Sequence, residues 1–158
     1  MKRIILALLL SSSGHFAQAS QVAPAINLPG VQGTVQSGDF KGKVIYLDFW
    51  ASWCKPCIQS FPWLNDIQTR YKQLGFEVVA VNLDQEATAA HDFLKKIPSQ
   101  FTVAFDPAGK TAEQFHVQGM PSSYLIDRQG NIRASHTGFR IEDRAKLERA
   151  ITQLLQEK

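Results

Sequence analysis

Cysteine is scarce in this chain, with two residues in 158. That excludes a disulfide-dense scaffold. No apolar run approaches the roughly 18–20 residues that cross a bilayer. Net charge is small as well: 17 Lys and Arg against 14 Asp and Glu give +3. Lys2 and Arg3 sit in an N-terminal segment without acids, which leaves 15 basic against 14 acidic residues over the rest. So slight a surplus gives no case for nucleic acid or an anionic membrane as partner. Repeats, low-complexity tracts and linkers are absent. What is there, 44% hydrophobic and 20% charged residues, is ordinary globular composition, long enough for one domain with a core of its own.

The N-terminus reads as an address. Met1-Lys2-Arg3 is positive, Ile4 to Leu10 is apolar, and Ala17-Gln18-Ala19 places small residues where a signal peptidase reads. This is the secretory pattern, with cleavage expected between Ala19 and Ser20. Residues 1–19 are then a signal peptide and residues 20–158 the working domain, placed in the periplasm. The alternatives are an uncleaved anchor facing the same compartment and a buried helix. An exported chain works where disulfides persist, so its one cysteine pair matters.

Hydrophobic patterning predicts an element order β-α-β-α-β-α-β-β-α. A hairpin of Ala25–Leu28 and Thr34–Gln36 around Pro29-Gly30 precedes it. Val44–Trp50 and Glu77–Leu83 are nearly unbroken apolar runs of buried-strand type. A helix is expected from about Cys54 to Leu74, with Pro56 in its first turn, Gly75 at its end and a kink at Pro62. Glu86–Ile97 reads as a second helix, Phe101–Phe105 as a strand and Thr111–Phe115 as a short helix. Ser122–Asp127 and Ile132–His136 form a hairpin, and a last helix spans about Glu142 to Gln156. The fold class is α/β, a mixed central sheet flanked by helices.

Trp53-Cys54-Lys55-Pro56-Cys57 carries the chemistry. A cysteine at a helix N-terminus meets unpaired N–H groups and the positive end of the dipole, both of which favour thiolate. Cys54 is therefore the expected attacking sulfur, with Lys55 adding positive charge beside it and Pro56 stiffening the turn. Cys57, one turn in, can resolve a mixed disulfide by attacking Cys54. A structural zinc site would need a second ligand pair, and His91, His116 and His136 lack ligand spacing. A c-type haem would need His after the second cysteine, where Ile58 stands. An inert structural disulfide stays open. Trp50 reads as core, Trp63 as packing, and Trp53 as either packing or a residue that flanks the sulfur and meets substrate.

Phe49-Trp50-Ala51-Ser52-Trp53-Cys54-Lys55-Pro56-Cys57 resembles a thioredoxin-fold active site. The N-terminal hairpin, the inserted Glu86–Phe105 helix and strand, and the Gly119-Met120-Pro121 stretch narrow the resemblance to exported TlpA/ResA/DsbE-like proteins. The resemblance implies a cis Pro121 against the cysteine pair, which would offer the Met120 backbone to a substrate strand. It also places Asp48 behind Cys57 as a buried acid of raised pKa, able to accept the proton of Cys57. Two positions depart from the family. Ser60 stands where many members carry glutamate, and Val78-Val79-Ala80-Val81 lacks the lysine that thioredoxins set near the acid.

The activity implied is thiol–disulfide exchange, in the direction of protein disulfide reduction. The dithiol itself is the redox centre and no cofactor is required. Exported protein disulfides would be the substrates and a membrane thiol carrier the electron donor. The alternatives are a disulfide oxidant or isomerase, a peroxiredoxin-type peroxidase, and a non-catalytic cytochrome or metal assembly chaperone.

Overall fold

Strand β4, Val44–Trp50, is the centre of the molecule. Its side chains alternate between two apolar layers, as a strand buried on both faces requires. Val44, Tyr46 and Trp50 join one core cluster, whereas Leu47 and Phe49 join the other. The structure, a computed structural model, describes residues 21–157. The expected signal segment lies outside them.

Eight strands form one sheet in the order β1-β8-β7-β4-β5-β6-β2-β3. Here β1 is Gln21–Val22, β2 Asn27–Gly30, β3 Gly33–Gln36, β5 Phe76–Asn82, β6 Thr102–Phe105, β7 Ser122–Ile126 and β8 Asn131–Thr137. β4, β5 and β6 run parallel, while β7 and β8 are antiparallel to their neighbours. The helices are α1, Lys55–Tyr71; α2, Ala87–Lys96; α3, Lys110–Gln114; and α4, Arg144–Gln156. Phe61, Leu64 and Ile67 of α1, Phe93 of α2, and Ile151 and Leu154 of α4 fill one face of the sheet. Ala112 of α3 and Phe115 just beyond it, with Ile26, Val35 and Phe40, fill the other. This is the thioredoxin fold with the N-terminal hairpin and the inserted α2–β6 unit that the sequence implied.

Differences from the expected elements are local. The hairpin turn falls at Val31-Gln32, not at Pro29-Gly30, which lie inside β2. A Cβ at Gly30 would lie 2.6 Å from Val35 Cγ2 and 2.9 Å from the Val103 carbonyl. Gly30 is therefore required by close approach of strands rather than by a turn. Proline is tolerated beside it because β2 meets β6 only at Gly30–Ala104. β1, two residues long, was not expected; it pairs with Ile132 and Asn131 of β8.

Helix α1 runs on through Pro62, whose ring is on the exposed side. It closes through a 3-10 turn, Lys72–Leu74, onto Gly75 at φ 82°. That left-handed cap suits glycine, which bears no Cβ to clash there.

Candidate active site

The chain leaves β4 at Trp50 and turns through Ala51-Ser52-Trp53 into α1. Cys54 is the N-cap of that helix, and its sulfur accepts the Cys57 N–H at 3.3 Å. One of the orphan donors of the first turn is thus aimed at Cys54. Cys54 and Cys57 are joined in a disulfide. Cys54 keeps 5% exposure and Cys57 none. The outer sulfur can be reached and the inner one cannot, which is the asymmetry dithiol exchange needs. Pro56 lies in the first turn, where its missing N–H costs nothing.

The approach loop is tied down by an acid. Asp84, just after β5, accepts from the Ser52 N–H at 3.0 Å and the Ser52 hydroxyl at 3.1 Å. Asn82 Nδ2 donates to the same carboxylate at 2.8 Å, and the Asp84 N–H donates to Asn82 Oδ1 at 3.0 Å. This buried cluster sets where Trp53 and Cys54 emerge. Sequence reasoning did not single it out. Its signal is a pair of polar residues, Asn82 and Asp84, two apart where the apolar run Val78–Val81 ends.

Trp53 is 72% exposed beside the sulfur, which rules out a packing role. Trp50 and Trp63 are core, as expected. Lys55 is exposed and Pro56 half-buried. The Met120–Pro121 peptide is cis. Met120 packs against the cluster that contains both cysteines. The Pro121 carbonyl is held by the Gly138 N–H at 2.7 Å. Ser60 is buried, and its hydroxyl donates to the Cys57 carbonyl at 2.8 Å. A short neutral side chain thus occupies the place of the family glutamate and bonds back onto the helix.

Asp48 is 3% exposed and shares its β4 face with Tyr46 and Trp50. Its Oδ2 has no hydrogen-bond partner among the described residues. Burial pushes its carboxyl well above the ordinary carboxylate range. No ion pair involves it among the described residues, and Ala80 is its neighbour on β5. The missing lysine is therefore not replaced from elsewhere.

These features coincide with what comparison finds. The redoxin family model matches residues 18–151. The chain belongs to the redoxin family. It is 32% identical over 143 residues to the thiol–disulfide oxidoreductase ResA of Bacillus cereus, covering 82% of this chain and 83% of that one. It is 29% identical over 150 residues to the ResA of Geobacillus kaustophilus, covering 87% and 86%. A Chlorobium tepidum structure described as a thiol:disulfide interchange protein DsbE matches at 52% identity. Its TM-score is 0.85, and the match covers 86% of this chain and 96% of that one. Within the redoxins, this chain is thus a thiol–disulfide oxidoreductase of the ResA/DsbE type with its Cys54–Cys57 pair. No helix among the described residues of this redoxin is long and apolar enough to cross a membrane.

Proposed function

We propose that the protein is an exported protein disulfide reductase that works through Cys54 and Cys57. The observation that carries this reading is the contrast between the two sulfurs. Cys54 caps a helix and touches solvent, while Cys57 is sealed behind it. In the reduced protein, Cys54 thiolate attacks a substrate disulfide. One substrate sulfur leaves as thiolate and takes a proton from water, and a mixed disulfide remains on Cys54. Cys57 then gives its proton to Asp48 and attacks Cys54 Sγ. The second substrate sulfur leaves as thiolate and takes a proton from water, so that two substrate thiols have formed and the protein holds the disulfide.

Around this chemistry, Pro121 shapes the groove and the Met120 backbone pairs with the substrate chain. Trp53, Lys55 and Pro56 form the rim that the substrate meets. The exposure of Trp53 supports that placement. Residues 1–19 direct export to the periplasm and are removed, leaving residues 20–158. A membrane thiol carrier returns the protein to its dithiol form.

Trapping tests the order of the sulfurs. Cys57→Ser is expected to accumulate a mixed disulfide with a disulfide-bonded peptide, seen as a mass gain that dithiothreitol removes. Cys54→Ser should form none. A stable adduct on Cys57 in the Cys54→Ser protein would reverse the assignment.

A further inference from the structure

Asp48 must lose its own proton before it can take the one from Cys57, yet its Oδ2 meets neither water nor a partner among the described residues. The sheet register shows what stands next to it. Asp48 pairs with Ser123 on β7, and Ser123 pairs with His136 on β8. Paired residues of antiparallel strands point to one face with Cβ atoms roughly 4.5–5.5 Å apart. Asp48, Ser123 and His136 therefore form a polar row across an otherwise apolar layer. Tyr46, two residues before Asp48 on the same face, donates its hydroxyl to Ser123 Oγ at 2.9 Å.

Tyr46 and Ser123 also line a small cleft of about 90 Å³, together with His136, Lys146, Leu147 and Ala150. The cleft is roomy enough for water and has polar partners for it. The hydroxyl pair thus links the strand position beside the buried carboxyl to a recess open to solvent. Ser123 Oγ donates to the His136 carbonyl only at 3.4 Å, a long contact. Asp48 and Ser123 are register partners with no hydrogen bond between them among the described residues, so the carboxyl must swing to Ser123 Oγ; the Ser123 proton then gives up only that long contact, and the Tyr46 bond is kept.

We propose that the Ser123 and Tyr46 hydroxyls relay the proton of Asp48 to water in the cleft beneath α4. This inference rests on the reading of Asp48 as acceptor for Cys57. In the relay, the Asp48 O–H breaks as Ser123 Oγ gains that proton. The Tyr46 hydroxyl, which donates to Ser123 Oγ at rest, turns its O–H to water in the cleft; Ser123 passes its own proton to Tyr46 Oη as Tyr46 gives its proton to that water, and one proton reaches solvent for each one Asp48 gives up. No electrons move. Burial and the nearby Asp48 both push the Tyr46 phenol up, so Tyr46 passes a proton without ionising. Ser123 and Tyr46 act through Asp48 and are positioning residues.

The charged and titratable groups facing the route are few. Cys57 of α1 is the group that the acceptor reading sets opposite Asp48. Lys146 of α4 lines the cleft. His136 Nε2 lies 3.4 Å from Asp143, which Arg140 also engages, and Arg144 begins α4 beside them.

The test separates the two sulfur attacks. Reduced protein is mixed with excess 5,5′-dithiobis(2-nitrobenzoate) in a stopped-flow cell. The first thionitrobenzoate released reports attack by Cys54, and the second reports attack by Cys57. Ser123→Ala is expected to slow the second phase by about tenfold or more and to leave the first unchanged. Ser123→Thr, which keeps a hydroxyl, should restore it. Tyr46→Phe, which keeps the ring, should slow the second phase too, and it carries the test alone if Ser123→Ala does not fold. Asp48→Asn should be slow, with Ser123→Ala adding nothing in that background. If Asp48→Asn is slow while Ser123→Ala and Tyr46→Phe resolve at the wild-type rate, the relay is overturned and Asp48 stays the acceptor. If Ser123→Ala costs the same factor with and without Asp48, the effect is packing and the relay is overturned. If Asp48→Asn resolves at the wild-type rate, the acceptor reading falls and the relay with it.

Discussion

Asp48 places a carboxyl where Val, Leu or Phe would pack, between Tyr46 and Trp50 on a strand buried on both faces. The charged form suffers most from this, so burial raises its pKa in the folded protein above the unfolded value of about 3.9. Between those two values the folded state binds the extra proton, and stability falls as pH rises through that window. It levels off above the raised pKa. Asp48→Asn removes the term. In the oxidised protein, where neither cysteine titrates, the variant is expected to be more stable than wild type above the window, with the gap closing toward acid. Thermal unfolding as a function of pH measures it. Two parallel curves would mean that Asp48 does not carry the shifted proton. Tolerating such a residue at a cost to stability fits a functional role.

At the scale of elements, the active site is a junction: a strand end, a tight approach loop and a helix start. The loop is held from the side by the end of β5 through Asp84. Asp84→Ala would leave the Ser52 N–H and Asn82 Nδ2 without their acceptor in a buried place. The expected cost is about 2 kcal/mol, or roughly 4–8 °C in Tm for a domain of this size. Faster amide exchange at Ser52 and Trp53 should accompany it. Unchanged exchange there would mean that the loop is held by something else. The active-site helix was legible in the sequence because its signals are local: a cysteine followed by proline at one end, glycine at the other. β4 and β5 were legible because strands buried on both faces are almost wholly apolar. Asp48 was legible only through the family pattern, since one acid in an apolar run has several meanings.

The hidden parts are those that depend on distant chain. The Ser52–Asp84 cluster joins residues 32 apart, and the Tyr46–Ser123 pair joins residues 77 apart. Neither spacing has a sequence signature. The hairpin turn was misplaced because Pro-Gly is a strong turn signal. Here Gly30 answers instead to the packing of β2 against Val35 and Val103.

Across the whole molecule, Met120 packs against the cluster that holds Cys54 and Cys57, Trp53 stays exposed next to Cys54 in the chain, and Asp48 is buried on β4. β4 leads to the cysteines, β7 begins at Ser122 just after Pro121, and the two strands are antiparallel neighbours. The central claim is that this arrangement works as a reducing dithiol. The most direct test is the reduction potential of Cys54–Cys57 in the protein lacking residues 1–19, set by equilibration with glutathione redox buffers. A reductant is predicted to lie near or below about −250 mV, in the range of thioredoxin. A value near about −120 mV, the range of a strong oxidant, would reverse the direction of electron flow. A pair that does not exchange with glutathione at all would contradict the account and leave a structural bridge.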